Sequence, residues 1–360
     1  MPIFNKLLHS SIRNKLSKKI SDALKKKSIN AKDSEYTNYI PIQYKSSNKI
    51  DYICSIKNAV VYSDCGFIFT KDGKLIKDNL HDDIIEPSAQ LSGRFLFFSL
   101  RRKIRIKGNI FALKSAAQEY YGHWIHDILS RLFILKDSGL FDKIDTFIIS
   151  EGCKAKFYKE SLELFGVKNV INVPDEKKIE CENLFFSSFP CLVPSKPFKW
   201  ECDKFLEFTK GLLNKCNIEF HDKIYISRKK VKTRNIINEK ELLDILLPLG
   251  YKVIYPEDYS IAEQFCLFNK AKKIISVLGS GLTNIICCDK NTSLFGIVAN
   301  VRYEDYHKYI CSIKGMKYFE YIEDDPKNIH YFYNIKDRDK YNFSIDLERF
   351  KKVLEDFEKC

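Results

Sequence analysis

The chain has 360 residues, 45% of them apolar and 14% aromatic, a composition that belongs to folded globular proteins and excludes a disordered one. That length suits two medium domains better than one, and no apolar run approaches the roughly 20 residues that carry a helix across a bilayer. A formal charge of +13 points to an anionic partner: nucleic acid, a phospholipid surface or a phosphorylated substrate.

Residues 1–30 are expected to form a basic amphipathic helix. Phe4, Leu8, Ile12, Leu16, Ile20 and Leu24 recur every four residues, among Lys6, Arg13, Lys15, Lys18, Lys19, Lys25, Lys26 and Lys27. Such a stripe could lie on an anionic membrane, or pack on the protein or a second subunit, and the pattern leaves these open. The segment has neither the continuous apolar core nor the small-residue cleavage site of a secretory signal. The expectation is therefore a cytoplasmic protein, peripheral on the inner face of the cell membrane if the helix binds lipid. The twelve cysteines lack the clustered spacing of a zinc site and are expected as small apolar core residues in a reducing cytosol.

From 31 to about 110, short apolar runs such as Ala59-Val60-Val61-Tyr62 and Phe95-Leu96-Phe97-Phe98 alternate with turn residues and read as strands and loops. The pattern turns helical over 116–135, then gives a strand at 145–150, a helix at 155–165 and a strand at 170–173. Three prolines in 190–197 mark a connection between halves. Beyond it a helix at 200–213 is followed by strands at 223–227, 251–255, 273–277 and 293–298. Helices at 239–247 and 261–271, and a helix start at 282–287, fall between them. This alternation predicts a parallel sheet covered by helices on both faces. Ser344 is expected to cap a last helix with Leu347, Phe350, Leu354 and Phe357 on its apolar face. The expected domains are 31–197 and 198–330, with 331–360 as a terminal segment.

Three groups of residues could carry chemistry. The run Gly279-Ser280-Gly281-Leu282-Thr283-Asn284 follows a buried apolar strand and opens a helix. Glycine lets a ligand approach the backbone closely, free N–H groups at a helix start favour an anion such as a diphosphate, and Thr283 and Asn284 could add side-chain hydrogen bonds. Without the third glycine of the dinucleotide fingerprint, a structural turn is as good a reading of these residues alone. Ser227-Arg228 stands at another strand end, where open parallel sheets bind ligands, and arginine suits bidentate phosphate contact. Lys229, Lys230 and Lys232 behind it read as solvated surface. In Tyr121-Gly122-His123-Trp124-Ile125-His126-Asp127, a helix puts His123 and Asp127 on one face with Arg131 a turn later. A carboxylate beside a histidine suits general-base work, although a structural hydrogen-bond network fits as well. Asp337-Arg338-Asp339 reads as solvated surface, not as a metal–diphosphate site.

Taken together, 118–136 and 222–298 resemble glycosyltransferase family 61, which includes bacterial capsule and lipopolysaccharide enzymes. The pattern H-W-x-x-D-x-x-P-R-L meets His123, Trp124, Asp127, Arg131 and Leu132, with Ser130 in place of the proline. The strand-end S-R meets Ser227-Arg228, and R-x-x-x-N-E meets Arg234, Asn238 and Glu239. F/Y-S-x-A-E-Q meets residues 259–264, and G-x-G-L-T-N meets 279–284. Many members carry histidine directly before the glycine run, where this chain has Leu278.

The resemblance implies an α/β, GT-B-like protein of two facing Rossmann-like domains with parallel sheets. It implies inverting transfer from a nucleotide-sugar donor to a glycan or lipid-linked glycan acceptor in capsule or lipopolysaccharide synthesis, without metal or other cofactor. Asp127 would be the general base, with His123 or His126 as the alternative. Ser227, Arg228, Arg234, Gly279, Ser280, Gly281, Thr283 and Asn284 would hold the donor, with Glu263 on its ribose. The last helix would cross back to the first domain, and homo-oligomerisation is left open. A nucleic-acid-binding protein would explain the charge but not the set of motifs, and nucleic acid is not expected as a partner. A non-catalytic basic or membrane scaffold that retains the fold is the alternative.

Overall fold

The computed structural model describes residues 28–33, 37–62, 66–76, 102–115, 117–174, 177–190, 196–302, 305–331 and 341–360. The basic amphipathic segment, the 95–98 run and Asp337-Arg338-Asp339 lie outside the described residues. The chain divides into two compact units, Met1–Trp200 and Glu201–Cys360.

In the first unit, strands β1 (Ser28–Ile29), β2 (Thr37–Gln43), β3 (Ile50–Tyr62), β4 (Phe67–Phe69), β5 (Leu75–Ile76) and β6 (Lys103–Ala112) precede a long helix, α1. Helix α1 starts with an α-helical turn at Tyr121–His123, widens to a π-helix at Trp124–Leu129 and returns to α-helix at Ser130–Asp137. Strand β7 (Thr146–Ser150), helix α2 (Lys156–Leu164), β8 (Val170–Val173) and β9 (Lys178–Ser187) complete it. The sheet runs β1-β5-β4-β3-β9-β6-β7-β8, with β2 also paired to β3. A parallel sheet was expected, and the observed one is mixed. Strands β2, β4 and β9 lie antiparallel to β3, and β5 is antiparallel to β4. By contrast β9, β6, β7 and β8 are mutually parallel along the sheet. The links from β2 to β5 hold only a few residues each, enough for hairpins and too short for crossovers, whereas α1 and α2 supply the crossovers that parallel pairing requires.

In the second unit, α3 (Lys199–Leu212) leads into a regular alternation: β10 (Lys223–Ile226), α4 (Glu239–Leu246), β11 (Lys252–Ile254), α5 (Ile261–Lys270) and β12 (Lys273–Val277). A 3-10 helix (Ser280–Cys287), β13 (Ser293–Ala299), α6 (Tyr306–Lys314) and β14 (Lys317–Glu323) follow. The five strands are parallel in the order β11-β10-β12-β13-β14. Strand order therefore reverses between β10 and β12, the arrangement of doubly wound folds. All seven residues of β13 are buried, as expected of a strand covered on both faces. A small hairpin, β15 (Ile329–Tyr331) and β16 (Tyr341–Phe343), precedes the last helix, α7 (Leu347–Glu358).

Helix α7 corrects one expectation. Its N-cap is Asp346, whose carboxylate accepts the N–H groups of Glu348 at 3.0 Å and Arg349 at 3.1 Å, and Ser344 lies just before it. Its apolar face packs within the second unit. Phe350 and Phe357 pack on Phe295 at ring distances of 5.2 and 5.4 Å, and Leu354 joins the same core with Tyr225, Ile275 and Tyr321. Burying three such side chains contributes about 1.5–3 kcal/mol each, enough to hold the helix there. At its end Glu358 accepts hydrogen bonds from Lys223 Nζ and the Tyr251 hydroxyl, both at 2.5 Å.

Eight of the described cysteines are buried, in keeping with small core residues. Cys216 and Cys266 depart from that picture. Cys216 is half-buried and its Sγ lies 2.8 Å from that of Cys266, a pairing hidden in sequence because 50 residues separate them. Among the described residues no helix is long and apolar enough to cross a membrane, and no group of three or more His, Cys, Asp or Glu could hold a metal ion.

Candidate active site

The first constellation stands at the C-terminal edge of the parallel strands of the first unit. Residues after β6 turn into α1, and the first turns of that helix bring His123 and Asp127 together as their spacing predicts. His123 Nδ1 lies 2.9 Å from Asp127 Oδ2. The Ser115 hydroxyl donates to the same oxygen at 3.3 Å, and Arg131 Nε donates to the Asp127 backbone carbonyl at 2.8 Å. The two partners differ in exposure: the Asp127 side chain is 4% exposed and that of His123 35%. Burial opposes the imidazolium, but the hydrogen bond and charge of Asp127 outweigh it and raise the His123 pKa above its ordinary 6.5. Asp127 lies in the π-helical segment, which His123 directly precedes, and such widenings are frequent at functional sites.

Other sequence candidates in α1 are buried. His126 is fully so, whereas His123 is the more exposed imidazole of this helix. Trp124 Nε1 donates to Ser161 Oγ at 2.8 Å and fastens α1 to α2. The Arg131 guanidinium lies over the Phe189 ring at 5.3 Å. Glu119 went unnoticed in the sequence. Its carboxylate rests against Gly152, after β7, where a Cβ would come within 1.8 Å of Glu119 Oε1.

The second constellation is at the C-terminal ends of β10 and β12, the point of strand-order reversal. Gly279 has extended backbone (φ 174°, ψ 176°), which any residue adopts, so its conformation does not demand glycine. A Cβ there would stand 2.6 Å from Arg228 Nη1, the end of a flexible side chain that would have to shift, and in ordinary contact with Arg234 Nη1 at 3.5 Å. Both guanidinium groups thus converge on Gly279. Arg228 is oriented by hydrogen bonds from Nε and Nη2 to the Thr233 carbonyl at 3.3 and 3.1 Å. Arg234 takes a left-handed backbone (φ 59°), and its Nη1 donates to the Leu278 carbonyl at 3.2 Å. A Cβ on Gly281 would meet open space, and Ser280 is exposed, so the turn presents its backbone outward.

Several expected donor contacts are instead used inside the unit. Ser227 is buried, its hydroxyl donating to Glu239 Oε1 at 2.6 Å beside the Tyr225 hydroxyl at 2.9 Å. Asn238 clamps Ile345 through two hydrogen bonds of 2.9 Å. Glu263 Oε2 accepts the N–H and hydroxyl of Ser260, both at 2.7 Å, closing a capping box at the start of α5. Thr283 and Asn284 are buried, and the Asn284 amide donates to Gln264 Oε1 at 3.1 Å, tying the turn to α5. The 3-10 helix turns the Thr283 and Asn284 side chains inward and leaves Ser280 and Gly281 on its open face. His307, in the first turn of α6, was missed because no spacing motif connects it to the glycine run. The fold brings its Nε2 to 3.2 Å from the Gly279 carbonyl oxygen.

Residues 121–295 match the family model Glycosyltransferase 61. The match begins at the first residue of α1 and ends within β13, so the matched span includes the His123–Asp127 pair and, of the second constellation, Arg228, Arg234 and Gly279. No curated protein matches the chain. The chain is a glycosyltransferase: an enzyme that takes a glycosyl group from a donor to an acceptor.

Proposed function

We propose that this enzyme is GT-B-like and inverting, with a nucleoside-diphosphate sugar as donor and a glycan or lipid-linked glycan of capsule or lipopolysaccharide as acceptor, acting at the cytoplasmic face of the membrane. The observation that carries the reading is the convergence of Arg228 and Arg234 on Gly279 between the ends of β10 and β12. Open parallel sheets bind ligands at such a reversal of strand order. The planar guanidinium matches diphosphate oxygens, and the N–H groups at the start of the 280–287 helix add to the positive field. As the anomeric bond breaks, negative charge collects on the departing diphosphate, where these fixed groups stabilise it more than they stabilise the bound donor. This scheme calls for no metal.

On the acceptor side, Asp127 is the buried member of its pair and His123 the accessible one. The acceptor hydroxyl proton then goes to the His123 imidazole. Asp127 holds the Nδ1 side of the ring and stabilises the imidazolium that forms. The acceptor oxygen attacks the anomeric carbon from the face opposite the diphosphate, which inverts the configuration.

The test is a thermal-shift panel of nucleoside-diphosphate sugars against the wild-type chain and Arg228→Ala. One donor should raise the melting temperature of the wild type, since a ligand that binds only the folded state stabilises it, and the shift should shrink in the variant. If no donor stabilises the chain, or if Arg228→Ala responds as the wild type does, the donor site is elsewhere.

A further inference from the structure

We infer that His307 is a positioning residue for the donor, setting the orientation of the Gly279–Ser280 peptide so that its N–H faces an anionic ligand. The inference rests on the donor reading above. The Gly279 carbonyl oxygen receives two donors: the Leu282 N–H at 2.9 Å, which opens the 3-10 helix, and His307 Nε2 at 3.2 Å. A carbonyl oxygen has two lone-pair directions, and here both are engaged. In a planar trans peptide the C=O and the N–H point in opposite directions. Holding the Gly279 oxygen toward the buried His307 therefore turns the Ser280 N–H the other way, to the side where Ser280 is exposed. Fully extended glycine supplies little restraint of its own on that peptide plane, so the orientation depends on what grips the carbonyl.

The grip comes from a different crossover. Arg228 and Arg234 follow β10, the glycine turn follows β12, and His307 follows β13, so the connections after three strands adjacent in the sheet meet at one backbone carbonyl and its neighbours. Arg234 holds the preceding carbonyl, that of Leu278, and His307 holds that of Gly279. With 5% exposure His307 does not itself meet the ligand, and its effect passes through Gly279. Sequence separation conceals the contact, since the two are 28 positions apart.

The experiment uses the full chain and inorganic pyrophosphate, the part shared by all nucleoside-diphosphate donors, with affinity read by calorimetry. His307→Ala should weaken pyrophosphate binding about tenfold, the loss of one well-placed backbone hydrogen bond to a charged ligand. His307→Gln places an amide donor at a similar reach and should restore affinity to within a few-fold of the wild type. Melting temperatures of both variants establish that they fold. Wild-type affinity in His307→Ala, or equal losses in the Ala and Gln variants, would overturn the positioning role. If the wild type itself fails to bind pyrophosphate, the donor reading falls first. Loss of binding in Arg228→Ala alone would keep that reading and reject this inference.

Discussion

Replacing Asp127 with Asn tests the acceptor half of the site most directly. The substitution keeps the shape of the side chain and removes the charge 2.9 Å from His123 Nδ1. In the wild type, burial lowers the His123 pKa, and the Asp127 hydrogen bond and charge raise it by more. Asn removes the charge and leaves only a neutral amide oxygen to accept from the ring, so burial is opposed less and the His123 pKa should fall relative to the wild type. A charge-assisted hydrogen bond is worth about 1.5–3 kcal/mol, and the one-third exposure of His123 reduces it to about 1–2 kcal/mol. The rate should rise with pH through the His123 pKa, because the base must be unprotonated, and in Asp127→Asn this limb should move to lower pH. Turnover at its plateau should fall about 10²–10⁴-fold as the imidazolium loses its stabilising carboxylate, while donor affinity stays within a few-fold. The assay is a pH–rate profile of glycosyl transfer, with donor binding measured by calorimetry. Stability should follow the same linkage. Because the folded-state pKa of His123 lies above the unfolded value, the stabilisation by the pair is fully present below about pH 6.5 and is lost as pH rises through the folded value. The melting-temperature gap between wild type and variant should therefore be widest in mild acid and narrow toward higher pH. A variant with unchanged turnover and an unmoved acidic limb would refute the role of the pair.

Three further outcomes are expected. Gly279→Ala puts a methyl group 2.6 Å from Arg228 Nη1, the far end of a flexible side chain, so the fold should persist while pyrophosphate affinity falls about tenfold or more by calorimetry; Gly281→Ala, which meets open space, should leave the melting temperature unchanged or slightly raised. Glu263→Ala breaks the capping box of α5 and should cost about 1 kcal/mol, or about 2–4 °C in melting temperature, and an unchanged midpoint would show the box to be dispensable. Cys216 and Cys266 should be joined by a mild dithiol oxidant such as diamide before the other buried cysteines react; peptide mapping without reduction would show the cross-linked pair, and its absence with full alkylation of both thiols would count against the 2.8 Å contact.

The sequence made much of the second unit legible because its strands and helices alternate and each strand is a short apolar run bounded by turn residues. Strands 273–277 and 170–173 were read to the residue, and the i, i+4 relation of His123 and Asp127 sufficed to pair them, since helical spacing is a local property. The mixed pairing around β3 was less legible, because whether a short link makes a hairpin depends on which strand lies beside it. Motif residues carried no label for their direction. The same residue types that would suit a ligand serve the interior at Ser227, Asn238, Glu263 and Asn284, where neighbouring backbone and side chains satisfy them.

Local pattern thus determined the elements, the glycine turn and the histidine–carboxylate pair, all of which depend on residues within a turn or two of each other. Only the tertiary structure decided what Gly279 is for. Sequence suggested a tight turn, whereas its extended backbone needs no glycine, and the bare Cα leaves room for the guanidinium of Arg228, which follows another strand. It also decided that His307 reaches the same peptide from a third connection, and that His123 and not His126 is the accessible imidazole. These facts depend on strand order and on which face of a helix is covered, and both are set by packing between segments far apart in the chain.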